Sequence, residues 1–522
     1  MQPHSIHAWR SAEAAARAGP HAARSAFGAL LSNAELELPA RLKLATLDLQ
    51  EGAVRAATAQ ALAACRLPES DPLLLLGLAR QLFDLGEVEA GLGCLRSPAV
   101  QAARDPAVHF RAARMLCDLS FYDVALDRLE RAKATGPSAP QVDYLLGMAR
   151  MYCGREDAAE DALEACLRAD PGFAPALRLL SMLRRQTAAR NHVDRLRLAL
   201  SRLGEGHAYA PLLHYALFKE LDDLDDPDAA WPHLERGMQA RRAQVGYDEQ
   251  ADIRLFDALM RWRPAGSAAA AELEGPVPLF VVGMPRSGTT LLERLLAGDP
   301  RVADAGELRD FVCQLRWCCD RLGGPHPDAG LVEAAQAVDL AELGRRYMAH
   351  TAWRAGGKAC FTDKLPANFL LAGPIAAALP RARILHMGRD PMDSCFSNLK
   401  ALFAGAYPHS YSQEEMARHF LRYRRLMQHW DAQSPGRILH VRYEALVSDP
   451  DAEARRVFGF CGLSWKGKPA ATAGGEMVGT ASTVQVREPI HRRYMGQWRR
   501  YGRHLGPLQE ALGEAADPES TL

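Results

Sequence analysis

The sequence predicts two structural classes in one chain: an N-terminal all-α solenoid of helical repeats, then a P-loop-like α/β domain with a mostly parallel sheet. Three observations carry that expectation. Pro72, Pro106 and Pro140 fall 34 residues apart, each opening an apolar-periodic segment rich in Ala and Leu. Beyond residue 277, strand-like runs alternate with helical segments, the pattern of a parallel sheet covered on both faces. The apolar run 279–282 leads into the loop Gly283-Met-Pro-Arg-Ser-Gly288, and an apolar-periodic helix begins near Thr289.

Length and composition set the outer bounds. At 522 residues, two or three domains are expected. Apolar content of 48% and charged content of 24% suit a globular chain. Lysine plus arginine balances aspartate plus glutamate at 63 each, so no global field draws in nucleic acid or an anionic membrane, and neither is expected as a partner. Anion binding must then arise from local clusters. Eleven cysteines, without a repeating metal spacing, read as reduced thiols rather than a disulfide framework. The first ten residues lack the apolar core of a secretory signal, and no apolar run approaches the ~18 residues that span a bilayer. A cytoplasmic location is expected.

The helical half carries its repeat signal in small residues. In the unit opened by Pro140, Leu146, Gly147, Gly154, Ala159 and Pro171 sit at packing and turn positions. The preceding unit offers Ala125, Ala132 and Pro137, and the one before it Leu78, Ala79, Gly86 and Gly91. Ala57 and Ala64 suggest a weaker unit ahead of these, and 174–207 a degenerate one behind. Small side chains there let the two helices of a hairpin approach closely, and each hairpin buries its remaining apolar face on the next. This part resembles tetratricopeptide repeats. The expected boundaries are 1–207 for the repeats, 208–263 for a helical capping extension, 264–276 for a small, Pro/Gly-flanked linker, and 277–522 for the α/β domain. The repeats either bind a protein partner or a second copy, or only orient the following domain.

In that domain the expected strands are 279–282, 358–362, 382–386 and 437–441. Helices are expected after Thr289 and over 331–354, 368–379, 393–403 and 413–430. Ligands of parallel sheets gather where strands end at their carboxyl termini, and each end here offers a cation: Arg286, then Lys364, Arg389 and Arg442. The first adds the N–H groups of a glycine loop opening a helix, a ready anion site. The spacing from Gly283 to Gly288 is that of a P-loop, yet Thr289 stands where a P-loop has its lysine. A nucleotide-dependent P-loop kinase is thereby disfavoured. A non-catalytic scaffold in which only the repeats act is the other alternative.

Pro285-Arg-Ser-Gly-Thr-Thr-Leu291, together with Met387-Gly-Arg-Asp-Pro-Met-Asp-Ser-Cys-Phe-Ser397, resembles the sulfotransferase superfamily, whose members use 3′-phosphoadenosine-5′-phosphosulfate. The likeness runs from about Pro278 to Leu505. It is greatest to the protein-tyrosine sulfotransferase type, through Gly306-Glu307, Lys364, the segment 441–447 around Tyr443, and Ser482-Thr-Val-Gln-Val486. Bacterial proteins that join tetratricopeptide repeats to such a domain resemble the whole chain.

The resemblance implies an enzyme that moves a sulfuryl group to an acceptor hydroxyl without a metal. It implies that Arg286, Ser287, Gly288, Thr289 and Thr290 hold the 5′-phosphosulfate. Arg389 and Ser397 would take the 3′-phosphate, and Tyr443, Ser482, Thr483, Gln485, Val486 and Arg493 would complete the nucleotide site. Glu307 would act as base, with Arg286, Lys364 and Ser482 stabilising developing charge. Two departures stand out. Gln497 precedes Trp498 where the tyrosine type has a lysine, leaving Arg493 or Arg499 to make that contact, and Glu307 is followed by Leu308 rather than by a second glutamate. The acceptor therefore stays open between a peptide tyrosine, a carbohydrate and a small molecule. Of the histidines, His386 reads as a core residue, while His326 and His409 lie in loops.

Overall fold

The computed structural model describes residues 2–136, 139–264, 273–403, 405–467 and 492–517. They form two compact units. One unit comprises residues up to 136 together with Arg309–Thr351. The other comprises 139–263, 273–308 and 352–517.

In the first unit the repeat signal becomes helix pairs. Pro72 and Pro106 each occupy the first turn of a helix, Pro72–Asp84 and Pro106–Asp118. Proline suits that position because its missing N–H would have no helical partner and its φ is already helical. Asp71 and Asp105 cap the two helices by accepting from the N–H of Leu73 and Ala107 at 2.8 and 2.9 Å. Gly91 is required by close packing, since an added Cβ would lie 2.3 Å from the Phe83 ring. Gly86 turns the chain at φ +81, and a Cβ there would lie 2.7 Å from that of Cys313. The segment Arg309–Thr351 thus packs on the repeats of its own unit. Arg55 donates to the carbonyls of Trp317 and Cys318, Arg346 stacks on Trp317, and His350 pairs with Glu87 at 3.0 Å.

The second unit opens with helices of the same kind. Pro140–Tyr152 pairs with Glu156–Ala169, and an added Cβ at Gly147 would lie 2.6 Å from Leu163. Ala159 is fully buried between them. Ala210–Asp223, Pro227–Gln244 and Glu249–Arg261 follow. The last is tied to the long helix Gln413–Gln433 by Arg418 and Arg422 on Glu249 and Asp252.

The sheet of this unit is parallel throughout, with strand order β2-β3-β1-β4-β5. Its strands are β1 Val277–Gly283, β2 Val302–Ala303, β3 Cys360–Asp363, β4 Arg383–Gly388 and β5 Ile438–Arg442. The four expected strands form, shifted by a residue or two. β2 is too short to leave a periodic signature. β1 sits at the centre, and Leu279 to Val282 are fully buried because both faces are covered. On one face Leu292, Leu295 and Leu296 pack with Val441, Leu446, Val457 and Phe458. On the other, Trp430 donates to the carbonyl of Phe369 and lies against Gly373.

Three expected helices differ, and the one expected over 393–403 runs Pro391–Leu399. The segment 331–354 breaks into Ala329–Ala334 and Leu340–Thr351, because Asp339 caps the second by accepting from Ala341 and Glu342. The segment 368–379 starts as the tight turn Pro366–Leu371 before becoming helical over Ala372–Ala378. All eleven cysteines are free thiols. Among the described residues no helix is long and apolar enough to cross a membrane.

Candidate active site at the carboxyl ends of the strands

The glycine loop takes its shape from its neighbours. Gly283 pairs with Met387 of β4, and an added Cβ would lie 2.6 Å from the Met387 carbonyl oxygen. Gly288 has φ +109, and a Cβ there would lie 2.7 Å from the Tyr443 ring and 3.0 Å from the Met387 methyl. Between them Arg286 sits in the left-handed region at φ 65, which is unfavourable for any residue with a side chain. Such an outlier points to a functional constraint. Ser287, Thr289 and Thr290 are buried, and the helix Thr289–Ala297 starts from Gly288.

On the β4 side of β1 stands a cationic group. Arg389, 8% exposed, donates to the carbonyls of Arg286, at 3.0 Å, and Tyr494, lies over the Tyr443 ring, and has Asp393 at 3.8 Å. Lys400, at the end of the helix Pro391–Leu399, donates to Gln497 Oε1 at 2.8 Å. Burial first, then Arg389, pushes the Arg286 guanidinium down to about 10. Burial also pushes Lys400 down to about 8; Asp222 opposes the shift, while Arg286 and Arg389 add to it. These groups repel one another.

Several buried polar atoms around them lack a hydrogen-bond partner among the described residues: Ser287 Oγ, Ser394 Oγ, Asn398 Oδ1 and Arg389 Nε. Native interiors leave few such atoms without a partner. Asn398 spends its amide N–H groups on the carbonyls of Pro285 and Ser394, fastening this helix to the loop. Ser397 is buried on the same helix. The chemistry of the set, cations with orphaned hydroxyl and amide groups, fits a multiply charged anion.

On the β3 side the arrangement is reversed. Lys364, with no exposed surface, is 2.7 Å from Glu307 Oε1 and 3.8 Å from Glu293 Oε2. Burial alone would lower its pKa; Glu307 and Glu293 more than offset that, and it stands above the ordinary lysine value. Glu307 lies in the loop after β2, where Gly306 accepts from the Lys364 N–H at 2.9 Å and donates to Asp304 at 3.1 Å. Glu293 comes from the helix after the glycine loop. It accepts from Thr362 Oγ1 at 3.0 Å; burial and then Asp304 raise it well above the usual carboxylate range. Burial, then the charge of Glu307, raises the Tyr407 phenol, whose ring packs 4.8 Å from that of Phe403.

The structure thus brings Arg286, Ser287, Gly288, Thr289, Thr290, Arg389, Ser397 and Tyr443 around one loop, and joins Glu307 to Lys364. Ser482, Thr483, Gln485 and Val486 lie outside the described residues. Arg493 is exposed and rests on the Tyr494 ring, and Arg499 is exposed over Trp498. Arg442 is exposed at the end of the edge strand. Arg500 and Arg503 pair with Asp222, Asp225 and Asp228. His386 is a core residue, hydrogen-bonded to His440 at 2.8 Å and to Tyr423, with a pKa well below the usual value through burial and then His440. His409 is buried against His419. Lys400 and Glu293 were not anticipated. A lysine in a helix end, and a glutamate in an apolar helix, give no signal until the fold sets their neighbours.

Residues 278–467 match the family model described as Sulfotransferase family. An uncharacterized protein of Aquifex aeolicus strain VF5 is 28% identical over 326 residues, covering 58% of this chain. The chain spans 42% of that relative's length. Among solved structures, the sulfotransferase domain of the Synechococcus PCC 7002 olefin synthase is 20% identical, covering 45% of this chain and 91% of that one, at a TM-score of 0.30. Sulfotransferase STF9 of Mycobacterium avium is 17% identical over 63% of this chain and 96% of its own, at 0.27. The C-terminal part of a TPR repeat-containing protein from Cytophaga hutchinsonii is 10% identical over 44% and 94%, at 0.34. The assignment rests on the sequence match rather than on these superpositions. The chain joins a run of helical hairpins to an α/β domain whose residues 278–467 match the sulfotransferase family model.

Proposed function

We propose that the protein transfers a sulfuryl group from 3′-phosphoadenosine-5′-phosphosulfate to an acceptor hydroxyl. The observation that carries this reading is the clustering of Arg286, Arg389 and Lys400 around a glycine loop with orphaned buried polar atoms. The N–H groups of Ser287 to Thr290 and the Arg286 guanidinium would hold the 5′ end, and Arg389 with Ser397 the 3′-phosphate. Gln497 stands in sequence where the tyrosine type has a lysine before tryptophan, and Lys400, which donates to it, would supply that cation. Tyr443, Arg493 and the segment 482–486 complete the nucleotide site in this reading.

The donor supplies the sulfuryl group and the bisphosphate leaving group. The chain's own residues do the rest. Glu307 has Oε1 engaged by Lys364, which leaves Oε2 to take the acceptor's proton, a role worth roughly 10²–10⁴-fold in rate. Lys364 and Arg286 stabilise negative charge as it develops toward the leaving phosphate, and loss of one such group costs ~3 kcal/mol in barrier. Ser482 would add a hydrogen bond. No metal is assigned a part. The half-buried Tyr407 ring, close enough to Glu307 to feel its charge, and Phe403 packed against it favour an acceptor hydroxyl on an aromatic or apolar carrier over a bare sugar. A peptide tyrosine meets that requirement. The repeats serve as scaffold or as a surface for a protein partner, and a cytoplasmic location suits this donor.

The test is direct. The product nucleotide, 3′-phosphoadenosine 5′-phosphate, should raise the melting temperature, and Arg389→Ala should remove the shift. Absence of any shift at millimolar nucleotide, or turnover of Mg·ATP, would reject the reading. Labelled donor incubated with the protein and fractionated cell extract would then reveal the acceptor.

A further inference from the structure

Glu293 is a buried carboxyl with no part in the steps above. Its relative exposure is 3%, its Oε2 lies 3.8 Å from Lys364, and its Oε1 accepts from Thr362. In the resting arrangement Lys364 therefore has one close counter-ion, Glu307 at 2.7 Å, and beside it a second buried carboxyl, Glu293 at 3.8 Å.

Catalysis would disturb that balance. When Glu307 takes the acceptor's proton it becomes neutral, and Lys364, wholly buried, loses its counter-ion. A buried ammonium without a partner is costly. We propose that Glu293 is the reserve counter-ion of Lys364, and so a positioning residue for transfer. As Glu307 gains its proton, Glu293 remains as the buried carboxyl facing Lys364 at 3.8 Å. The one proton that moves passes from the acceptor hydroxyl to Glu307. Lys364 stays charged and in place throughout. Asp304 accepts from the Gly306 N–H and so helps fix the loop that carries Glu307. The turnover role rests on the sulfotransferase reading; the counter-ion role does not.

A thermal-stability cycle separates the two. Glu293→Gln and Glu307→Gln should each lower Tm modestly, since each leaves Lys364 one carboxylate. The double variant should lose about 5 °C or more beyond the sum of the singles, and adding Lys364→Met should recover that excess. Additive losses, or an excess that Lys364→Met does not relieve, would overturn the counter-ion role whatever reaction the protein catalyses. For turnover, Glu293→Gln should lower kcat about tenfold with KM and the nucleotide-induced Tm shift unchanged, and Glu293→Asp should restore part of it. An unchanged kcat, or a loss confined to KM, would overturn the positioning role. Wild-type protein that shifts with the nucleotide yet transfers nothing to any acceptor would reject the turnover role and leave the stability cycle to decide the other.

Discussion

Two charged centres flank the central strand, and they are built in opposite ways. Beyond β3, Lys364 is neutralised from within by Glu307, with Glu293 behind it. On the β4 side, Arg286, Arg389 and Lys400 crowd together, with Asp393 near Arg389 and Asp222 acting on Lys400, and two of the three are depressed. A balanced centre holds its shape alone and can pass a proton. An unbalanced one is complete only with an anion. In the proposed reading the difference separates chemistry from binding, and each centre should fail in its own way.

The sharpest break in that comparison is a pair of substitutions with crossed effects. Glu307→Ala should lower sulfuryl transfer by roughly 10²–10⁴-fold while the nucleotide still raises Tm, whereas Arg389→Ala should remove the Tm shift. Equal loss of both properties in both variants would mean that the centres are one. Next in size is Gly288→Ala. Its Cβ would have to adopt φ +109 against the Tyr443 ring, so nucleotide affinity should fall with about 1–3 kcal/mol of stability; calorimetry reads both.

A smaller effect tests the unbalanced centre by pH. Lys400, pushed down to about 8, is charged below that pH and neutral above it. An anion favours the charged form, so nucleotide affinity should fall as pH rises through 8 and the site should take up protons on binding. Lys400→Gln should flatten that dependence between pH 7 and 9. The smallest effect lies away from both centres. Asp105→Ala removes an N-cap and should cost about 1 kcal/mol while leaving nucleotide affinity unchanged.

What could be read in the sequence was whatever local chemistry dictates. The prolines at 72, 106 and 140 open helices because proline fits a first turn, and Gly91 and Gly147 sit where rings and leucines leave no room. The glycine loop and the arginine after β4 were legible because strand ends and motifs mark them. Lys400 and Glu293 were not. Their importance comes from neighbours far along the chain, Gln497 for one and Lys364 for the other. The break at Asp339 turned on a single cap, which a periodic apolar pattern overrides on paper but not in the fold.

One consequence of the strand order concerns how the site comes into being. β1 is first in the chain but central in the sheet, and both its neighbours, from Cys360 and from Arg383 onward, come much later. The glycine loop owes its shape to Met387 and Tyr443, so a chain that has made β1 alone has no nest for an anion. Pairings so distant in sequence form slowly. A nucleotide that recognises only the finished sheet stabilises it by mass action and nothing earlier. In a refolding experiment the ligand would slow unfolding and leave the folding rate untouched, making it a reporter of the last step of assembly.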